Sequence, residues 1–593
     1  MRGLAVVCLL LLPFLGKTQP VLVLAGGGTE GSVGSKSAWS YPLYSELIRN
    51  GDRTGDGIIR VAVLTASTPS SASDTAWMPS YFRWIGETLG STVQSFALVV
   101  PTRQAAGDPS LTGRMVHCDA VFIRGGDQGV YYDQWNGTAL EDSIRAVFLR
   151  QGAIGGTSAG AMSLAEFCLS GGKDLISLDV LQDARTSYLE DASEGPGSSG
   201  IHSDFLSLLP GFFVDTHFTE RGRLGRTIGV LAKAMEDAGR SDLRAIGLEQ
   251  KTGVVIRQDT LHVYGTGEVS LISPTPDTQI RRTAKRPLWA ANLRLDRLTH
   301  GWKYVISSGS PVTLPLPDGM TDLPVFPGGQ PAPGPLQIDG SQAGHQSLFA
   351  WSGAIYPANY SLMAGSSPGL WPGSAGFTDA SASSSRADKQ ETLFRVLYDK
   401  PAALGVLAFR GSRLEIRTGQ PDRLMVTAEP GYTTAAAIFI DLSSATQSGL
   451  SPFPSNWATS GGSLKTTAFI NARLHVLADS DKPDRGVWFD LIAQKPEGGI
   501  LTTVTDDTYP SSFEMGHPYP NPANPVTRVP FRSSKQVTLT LTDLLGRQVQ
   551  QWKQPPGSAD LLLDLSGFAT GVYLLHATDH QAETVTRRVI LLR

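Results

Sequence analysis

The sequence predicts an α/β fold: a mostly parallel sheet with helices on both faces, followed by a β-rich middle region and a small C-terminal β-sandwich. Three observations predict it. Short apolar runs alternate with helical stretches from Val21 to Ile154, the pattern of strands buried on both faces and joined by helical crossovers. The stretch GGTSAGAM, Gly155 to Met162, has the G-x-S-x-G form of a sharp strand-to-helix turn with a serine at its tip. From Val325 onward the composition shifts to proline, glycine and short alternating apolar runs, which read as strands between turns.

Length and composition bound the rest. A chain of 593 residues implies several domains. Its 41% hydrophobic and 18% charged residues suit folded domains. The formal net charge of -4, with no basic tail, gives no electrostatic basis for nucleic-acid binding. Arg2, the apolar run Leu4 to Leu15 and the polar break Gly16 to Gln19 form a signal peptide over 1–19. No later segment is long and apolar enough for a transmembrane helix in the mature chain. Cys8 would leave with that peptide. Cys118, on an expected buried strand, and Cys168, in an expected helix, then read as core residues. No metal-ligand spacing is present, and no cofactor is called for.

Taken in order, Val21 to Ala25 is a strand followed by Gly26-Gly27-Gly28. The glycine spacing does not fit G-x-G-x-x-G, so a dinucleotide site is rejected. Ser40 to Asn50 reads as a helix, Ile58 to Thr65 as a strand, Ser80 to Leu89 as a helix and Gln94 to Val100 as a strand. Ala120 to Ile123 is a strand ending in Gly125-Gly126-Asp127-Gln128, and Thr138 to Gln151 a helix. Ala153-Ile154 leads into the serine turn, and Ser163 to Cys168 reads as the helix after it. Gly156 and Gly160 leave room for the turn. The Ala159 amide, at the helix start, would face a developing oxyanion. Gly195 to Gly200 reads as a loop. Phe212 to His217 is a strand whose alternation puts Asp215 and His217 on one face. Arg221, Arg223 and Arg226 follow, either as a solvated helix face or as holders of a carboxylate. Arg244 to Leu248 is a strand ending at Glu249-Gln250. Thr252 to Arg257 and Thr260 to Val263 form a hairpin, and Gly267 to Ile272 follows.

FIRGGDQ, GGTSAGAM, DTHFTERGRLGR, AIGLEQKTG and NLRLDRLTHGWKY stand here in order between Val21 and Ser308. In sequence and spacing they resemble the cyanophycinases and related aspartyl dipeptidases. The resemblance implies an α/β sandwich akin to class I glutamine amidotransferases. It also implies a serine peptidase that cuts bonds adjoining aspartyl residues; cyanophycinase releases β-Asp-Arg dipeptides from an arginine-decorated polyaspartate. Carried over by position, Ser158 is the nucleophile and His217 the general base. Gly126 and Ala159 supply the oxyanion hole. Gln128, Asp215, Arg221, Arg223 and Arg226 bind the Asp-Arg unit. This sequence departs from the family twice. Thr216 stands where the family has glutamine. Glu249-Gln250 replaces the family's Asp-Glu pair, so the carboxylate that orients His217 falls on Gln250 by alignment or on Glu249 one residue earlier.

The expected divisions are a catalytic domain over 20–310, a linker over 311–335, a β-rich domain over 336–508 and a C-terminal domain over 513–593. Within the middle domain, INARLHVLADSDKPDRGVWFDL, from Ile470, echoes ANLRLDRLTHGWKYVI, from Ala291. A decayed copy of the catalytic domain's β tail would explain the echo, and no chemistry is assigned to it. From Tyr519, YPNPANP, Leu545-Gly546-Arg547 and Thr570-Gly571-Val572-Tyr573 resemble the C-terminal sorting domain of the type IX secretion system. That implies export to the cell surface or beyond, with the secretion machinery as partner. The expected activity is that of a secreted serine peptidase acting on cyanophycin. The alternatives are a peptidase for other aspartyl peptides and a catalytically impaired binding protein on the same fold. Homodimerisation is left open.

Overall fold

The computed structural model describes residues 20–312 apart from 53–55, 68–70, 171–174, 191–199 and 220, separate strands between 336 and 497, and most of 513–591. The expected signal peptide, nearly all of the linker and residues 195–199 of the expected loop lie outside the described residues.

The first half runs β1 (Val21–Ala25), α1 (Ser40–Arg49), β2 (Ile58–Thr65), α2 (Ala72–Leu89), β3 (Thr92–Val99), α3 (Arg103–Ala106), α4 (Pro109–Met115), β4 (Ala120–Ile123), α5 (Gln128–Trp135), α6 (Ala139–Leu149) and β5 (Ala153–Thr157). There follow α7 (Ala159–Met162), β6 (Ala165–Ser170), α8 (Ser177–Gln182), α9 (Ser187–Glu190), β7 (Gly200–His202), β8 (Leu209–Asp215) and α10 (Leu224–Ala238). The closing strands are β9 (Arg244–Leu248), β10 (Thr252–Arg257), β11 (Thr260–Gly265), β12 (Val269–Ser273), β13 (Gln279–Arg281), β14 (Trp289–Leu298), β15 (Lys303–Val305) and β16 (Ser310–Pro311).

These strands form two sheets rather than one. The first has the order β16-β15-β11-β10-β1-β5-β4-β2-β3. It is parallel from β1 to β3 and antiparallel from β10 to β16. The expected parallel sheet is therefore only one side of a mixed sheet. One face of it packs on α1 and α2 through Leu43, Leu47, Phe82 and Ile85. The other face shares a core with α5, α6 and the second sheet, through Leu24, Ile123, Ile144, Val214 and Leu248. The outer face of the second sheet is covered by α8 and α10, through Val180, Ile228 and Leu231.

Two local departures have physical causes. Helix α2 begins at Ala72, well before the expected Ser80, because Ser71 caps it by accepting the Asp74 amide at 3.2 Å. Pro79 inside the helix reads as a breaker in the sequence. The expected helix over Ser163 to Cys168 is instead strand β6, and Cys168 lies on it. Its run AEFCLS is buried throughout, between β7 and β8. A short apolar run does not distinguish helix from strand by period. Cys118 and Cys168 are free and buried, and burial pushes the Cys168 thiol up to about 12.

The middle segment contains β17 (Leu336–Asp339), β18 (Phe349–Trp351), β19 (Tyr360–Leu362), β20 (Ser374–Asp379), β21 (Leu404–Phe409) and β22 (Ser412–Ile416). After them come β23 (Arg423–Ala428), β24 (Ala436–Asp441), β25 (Gln447–Pro452), β26 (Lys465–Ala478), β27 (Trp488–Asp490) and β28 (Lys495–Glu497). The second sheet runs β20-β21-β24-β26-β14-β12-β9-β8-β6-β7, so it continues from the first half into the middle segment. At the C-terminus, one sheet of Phe513–Met515, Val526–Ser533 and Gly557–Asp564 shares a core with a second of Gln548–Gln554, Val537–Asp543, Gly571–Thr578 and Thr584–Leu591. Among the described residues no helix is long and apolar enough to cross a membrane.

Candidate active site

Strand β5 is fully buried and delivers Ser158 at its carboxyl end, where open α/β sheets gather their sites. Ser158 has φ 52° and ψ −123°, a conformation costly for a residue with a Cβ. Its amide donates to the Ala25 carbonyl at 2.9 Å, which fixes the turn on β1. The small residues around it are required by distance. A Cβ on Gly156 would lie 2.4 Å from the Gly160 carbonyl carbon, and one on Gly160 would lie 2.2 Å from the Ile123 oxygen. Beside the serine, the Tyr131 hydroxyl donates to the Arg124 and Gly125 carbonyls at 2.9 and 3.1 Å and holds the Gly125-Gly126 turn. Gln128 opens α5, and its amide donates to the Leu169 carbonyl on β6 at 2.9 Å.

His217 reaches Ser158 by leaving its strand. β8 ends at Asp215, and His217 takes φ 45°, so the expected strand alternation through Phe212 to His217 stops short of the histidine. Its Nε2 lies 2.7 Å from Ser158 Oγ, and its amide donates to the Gly26 carbonyl at 3.1 Å. The glycine cluster after β1 makes this approach feasible: a Cβ on Gly27 would stand 2.6 Å from the imidazole ring. Burial, then the positive charges of Arg221 and Arg223, push the His217 pKa down to about 3. The ring is therefore neutral at ordinary pH. Its Nδ1 has no hydrogen-bond partner among the described residues.

Asp215 turns away from the histidine. It accepts from Arg223 at 2.9 Å, from Arg226 at 3.0 and 2.5 Å, and from the Thr227 hydroxyl at 2.9 Å. Burial pushes its carboxyl up, but Arg226 and Arg223 outweigh that and hold it below the ordinary range. Arg223 and Arg226 are 8% and 4% exposed, which corrects the alternative of a solvated arginine face. Arg223 also donates to the Thr216 carbonyl at 2.6 Å, so the ion cluster fixes the backbone that carries His217. Arg221 alone of the three is exposed.

Neither candidate for the orienting acid bonds the His217 Nδ1. Glu249 accepts from the Thr219 hydroxyl at 2.7 Å, the Glu268 amide at 2.8 Å and Arg297 at 3.3 Å. Its carboxylate is thus turned to a buried charge cluster that Glu268 completes, 2.9 Å from Arg297. Gln250 packs over Gly28, next to the glycine beneath the His217 ring.

A cleft of about 210 Å³ opens at Ser158 between Gly27, Gly28, Glu30, Trp77, Met78, Arg124 and Gly125. Glu30, Trp77 and Arg124 were not singled out from the sequence. Glu30 accepts from the Tyr44 hydroxyl at 2.6 Å, and burial raises its pKa. Arg124 is paired with Asp74 at 2.9 Å. Glu30 follows β1 and Arg124 follows β4, both at carboxyl ends of parallel strands, and Arg124 also lies within FIRGGDQ.

The cleft lies at the strand-to-helix turn that carries Ser158, and several known proteins are similar to this part of the chain. The first half of the chain is similar to the cyanophycinase of Trichormus variabilis: 28% identical over 242 residues, 40% of this chain and 73% of that protein. The cyanophycinase of Geminocystis herdmanii is 30% identical over 192 residues, 32% of this chain and 62% of its own. A solved peptidase from an acI-B1 actinobacterium aligns at 20% identity over 50% of this chain and 100% of its own, with a TM-score of 0.34. Residues 517–591 match the family of secretion system C-terminal sorting domains. The first half of the chain is thus similar to the cyanophycinases, and its end carries a secretion system sorting domain of the type IX kind.

Proposed function

We propose that the protein is an exported serine peptidase that hydrolyses cyanophycin to β-Asp-Arg dipeptides. The observation that carries this proposal is the strained Ser158, whose Oγ lies 2.7 Å from His217 Nε2 at the head of a cleft. Ser158 Oγ attacks the scissile carbonyl carbon and its proton passes to His217 Nε2. The oxyanion is received by the amides of Gly126 and Ala159. When the carbon–nitrogen bond breaks, the imidazolium returns the proton to the leaving amine. Water, activated by the same imidazole, then cleaves the ester.

The substrate side is assigned by charge. Exposed Arg221 meets a carboxylate of the aspartyl unit, and Gln128 is assigned to the same unit by its place in the motif. Asp215, Arg223 and Arg226 act on the substrate from beneath, by holding the Thr216-His217 backbone. Glu30 gives the cleft an acidic wall suited to a guanidinium or amine, which fits a substrate carrying both charges. A second assignment is favoured by the unpartnered Nδ1 of His217 and its depressed pKa: a binding protein on the peptidase fold, with turnover lost.

Incubation of the purified chain with insoluble cyanophycin separates the alternatives. Soluble β-Asp-Arg supports the proposal. Cleavage restricted to other aspartyl peptides moves the substrate class, and retention of intact polymer favours the binding protein.

A further inference from the structure

Ten strands of the first half recur in the middle segment with the same order and pairing. In the first half the order β1-β10-β11-β15-β16 forms one side of a sheet; in the middle segment β17-β22-β23-β27-β28 forms another. Every neighbouring pair in both series is antiparallel. The second sheet shows the same relation. From β14 outward it runs β12, β9, β8; from β26 outward it runs β24, β21, β20. In both arms the third pair outward, β9–β8 and β21–β20, is parallel and the first two are antiparallel. Even the side strands agree, because β13 pairs with β14 as β25 pairs with β26. So β1 corresponds to β17, β8 to β20, and β9 through β16 to β21 through β28 in sequence order. Among the described residues the second series has no counterpart of β4, β5 and the serine turn.

The two series meet about a local two-fold axis. β14 and β26 are antiparallel neighbours, with Arg294 opposite Arg473. Those two arginines are also equivalent in the repeat, as are Asn292 and Asn471, and Leu295 and Leu474. A two-fold requires that each pair have a mirror pair with the roles exchanged. Leu293 opposite Leu474 is matched by Leu295 opposite Ala472, and Ala290 opposite Val476 by Arg297 opposite Phe469. The irregularities are shared too. Asn292 and Asn471 both take positive φ, 60° and 66°. The Asn292 amide donates to His475 Nδ1 at 3.1 Å, and the Asn471 amide to Asp296 Oδ1 at 2.6 Å, from equivalent donors to equivalent positions. The junction is packed like an interior: Leu293, Leu295, Ala472, Leu474 and Val476 belong to one buried cluster.

We infer that the middle segment is a second copy of the catalytic scaffold, without the serine turn among its described residues, which occupies in the same chain the place a partner subunit would take on β14. The edge of β14 would otherwise present unpaired backbone groups to another chain. The copy covers that edge with a surface related to its own by two-fold symmetry, the geometry of an isologous dimer. One chain therefore forms a two-fold assembly with the Ser158 site in its first half.

The experiment uses the full chain. Arg294→Cys and Arg473→Cys are made singly and together, both positions being partly exposed, and oxidised at low protein concentration. The double variant is expected to form a 294–473 disulfide within one chain, seen as a linked peptide by mass spectrometry with no doubling of mass on a non-reducing gel. Each single variant is expected to stay at one chain mass. A covalent dimer of the single Arg294→Cys variant would overturn the inference, because β14 would then be paired with β14 of another molecule. A double variant with no 294–473 link, or with that link between chains, would also overturn it. Should a cysteine variant fail to fold, hydrogen exchange of the unaltered chain decides. Protection of the 293–295 and 472–474 amides is expected, and rapid exchange at 293–295 would contradict a covered edge.

Discussion

His217 is a base only while its imidazole is neutral, and burial with nearby arginines keeps it neutral down to about pH 3. The acid limb of kcat/KM is therefore expected near pH 3 rather than near histidine's ordinary 6.5. The same group links stability to pH. The unfolded histidine binds a proton that the folded one refuses, so its contribution is complete above about 6.5 and is lost as pH falls toward about 3. Arg221→Ala removes one of the charges that depress His217, so the acid limb should move to higher pH while KM rises. Added salt should shrink the difference, since Arg221 is exposed. An unmoved limb would mean Arg221 does not act on His217. The orienting acid gives a second expectation. Gln250→Glu should raise kcat by up to about 10⁴-fold, the factor lost when a triad acid becomes an amide; an unchanged kcat would remove Gln250 from that position. The sequence named Ser158 and His217 through their motifs. It did not reveal that Glu249 is held by Thr219 and Arg297, because those partners come from two segments distant in sequence.

At the level of elements, strands β9 and β10 were legible to the residue, since Arg244 to Leu248 and Thr252 to Arg257 are bounded by turn residues. β6 was not, for want of a period, and the bend at His217 was not, because alternation assumes an unbroken strand. That bend depends on the Asp215 cluster. Arg226→Ala leaves a buried carboxylate short of a partner and should cost about 3–5 kcal/mol by denaturant unfolding. Wild-type stability in that variant would return Arg226 to the substrate. A second cluster can be judged against the repeat. The register of β9, β12 and β14 with β21, β24 and β26 sets Glu249, Glu268 and Arg297 against Phe409, Ala436 and Val476, all three buried in one apolar cluster. The same scaffold therefore folds without those charges in the copy whose described residues include no serine turn. Glu249→Phe, Glu268→Ala and Arg297→Val made together should leave a folded chain with a Tm within a few degrees of wild type and little hydrolysis. An unfolded triple variant would make the charges structural, and full activity would remove them from the site.

For the whole molecule, the sorting domain could be read from Tyr519 to Tyr573 because its turn motifs are local. The relation between the halves could not, since the echo at Ile470 covers only the β26 end of a correspondence that is otherwise topological. The C-terminal sorting domain fits the proposed action on a polymer met outside the cell. The most direct test compares the full-length chain with its Ser158→Ala variant on insoluble cyanophycin at equal protein. The expected result is steady release of soluble β-Asp-Arg by the wild type and a loss on the order of 10⁶-fold in the variant, with the variant still sedimenting with the polymer. Release by Ser158→Ala at the wild-type rate would contradict the central claim.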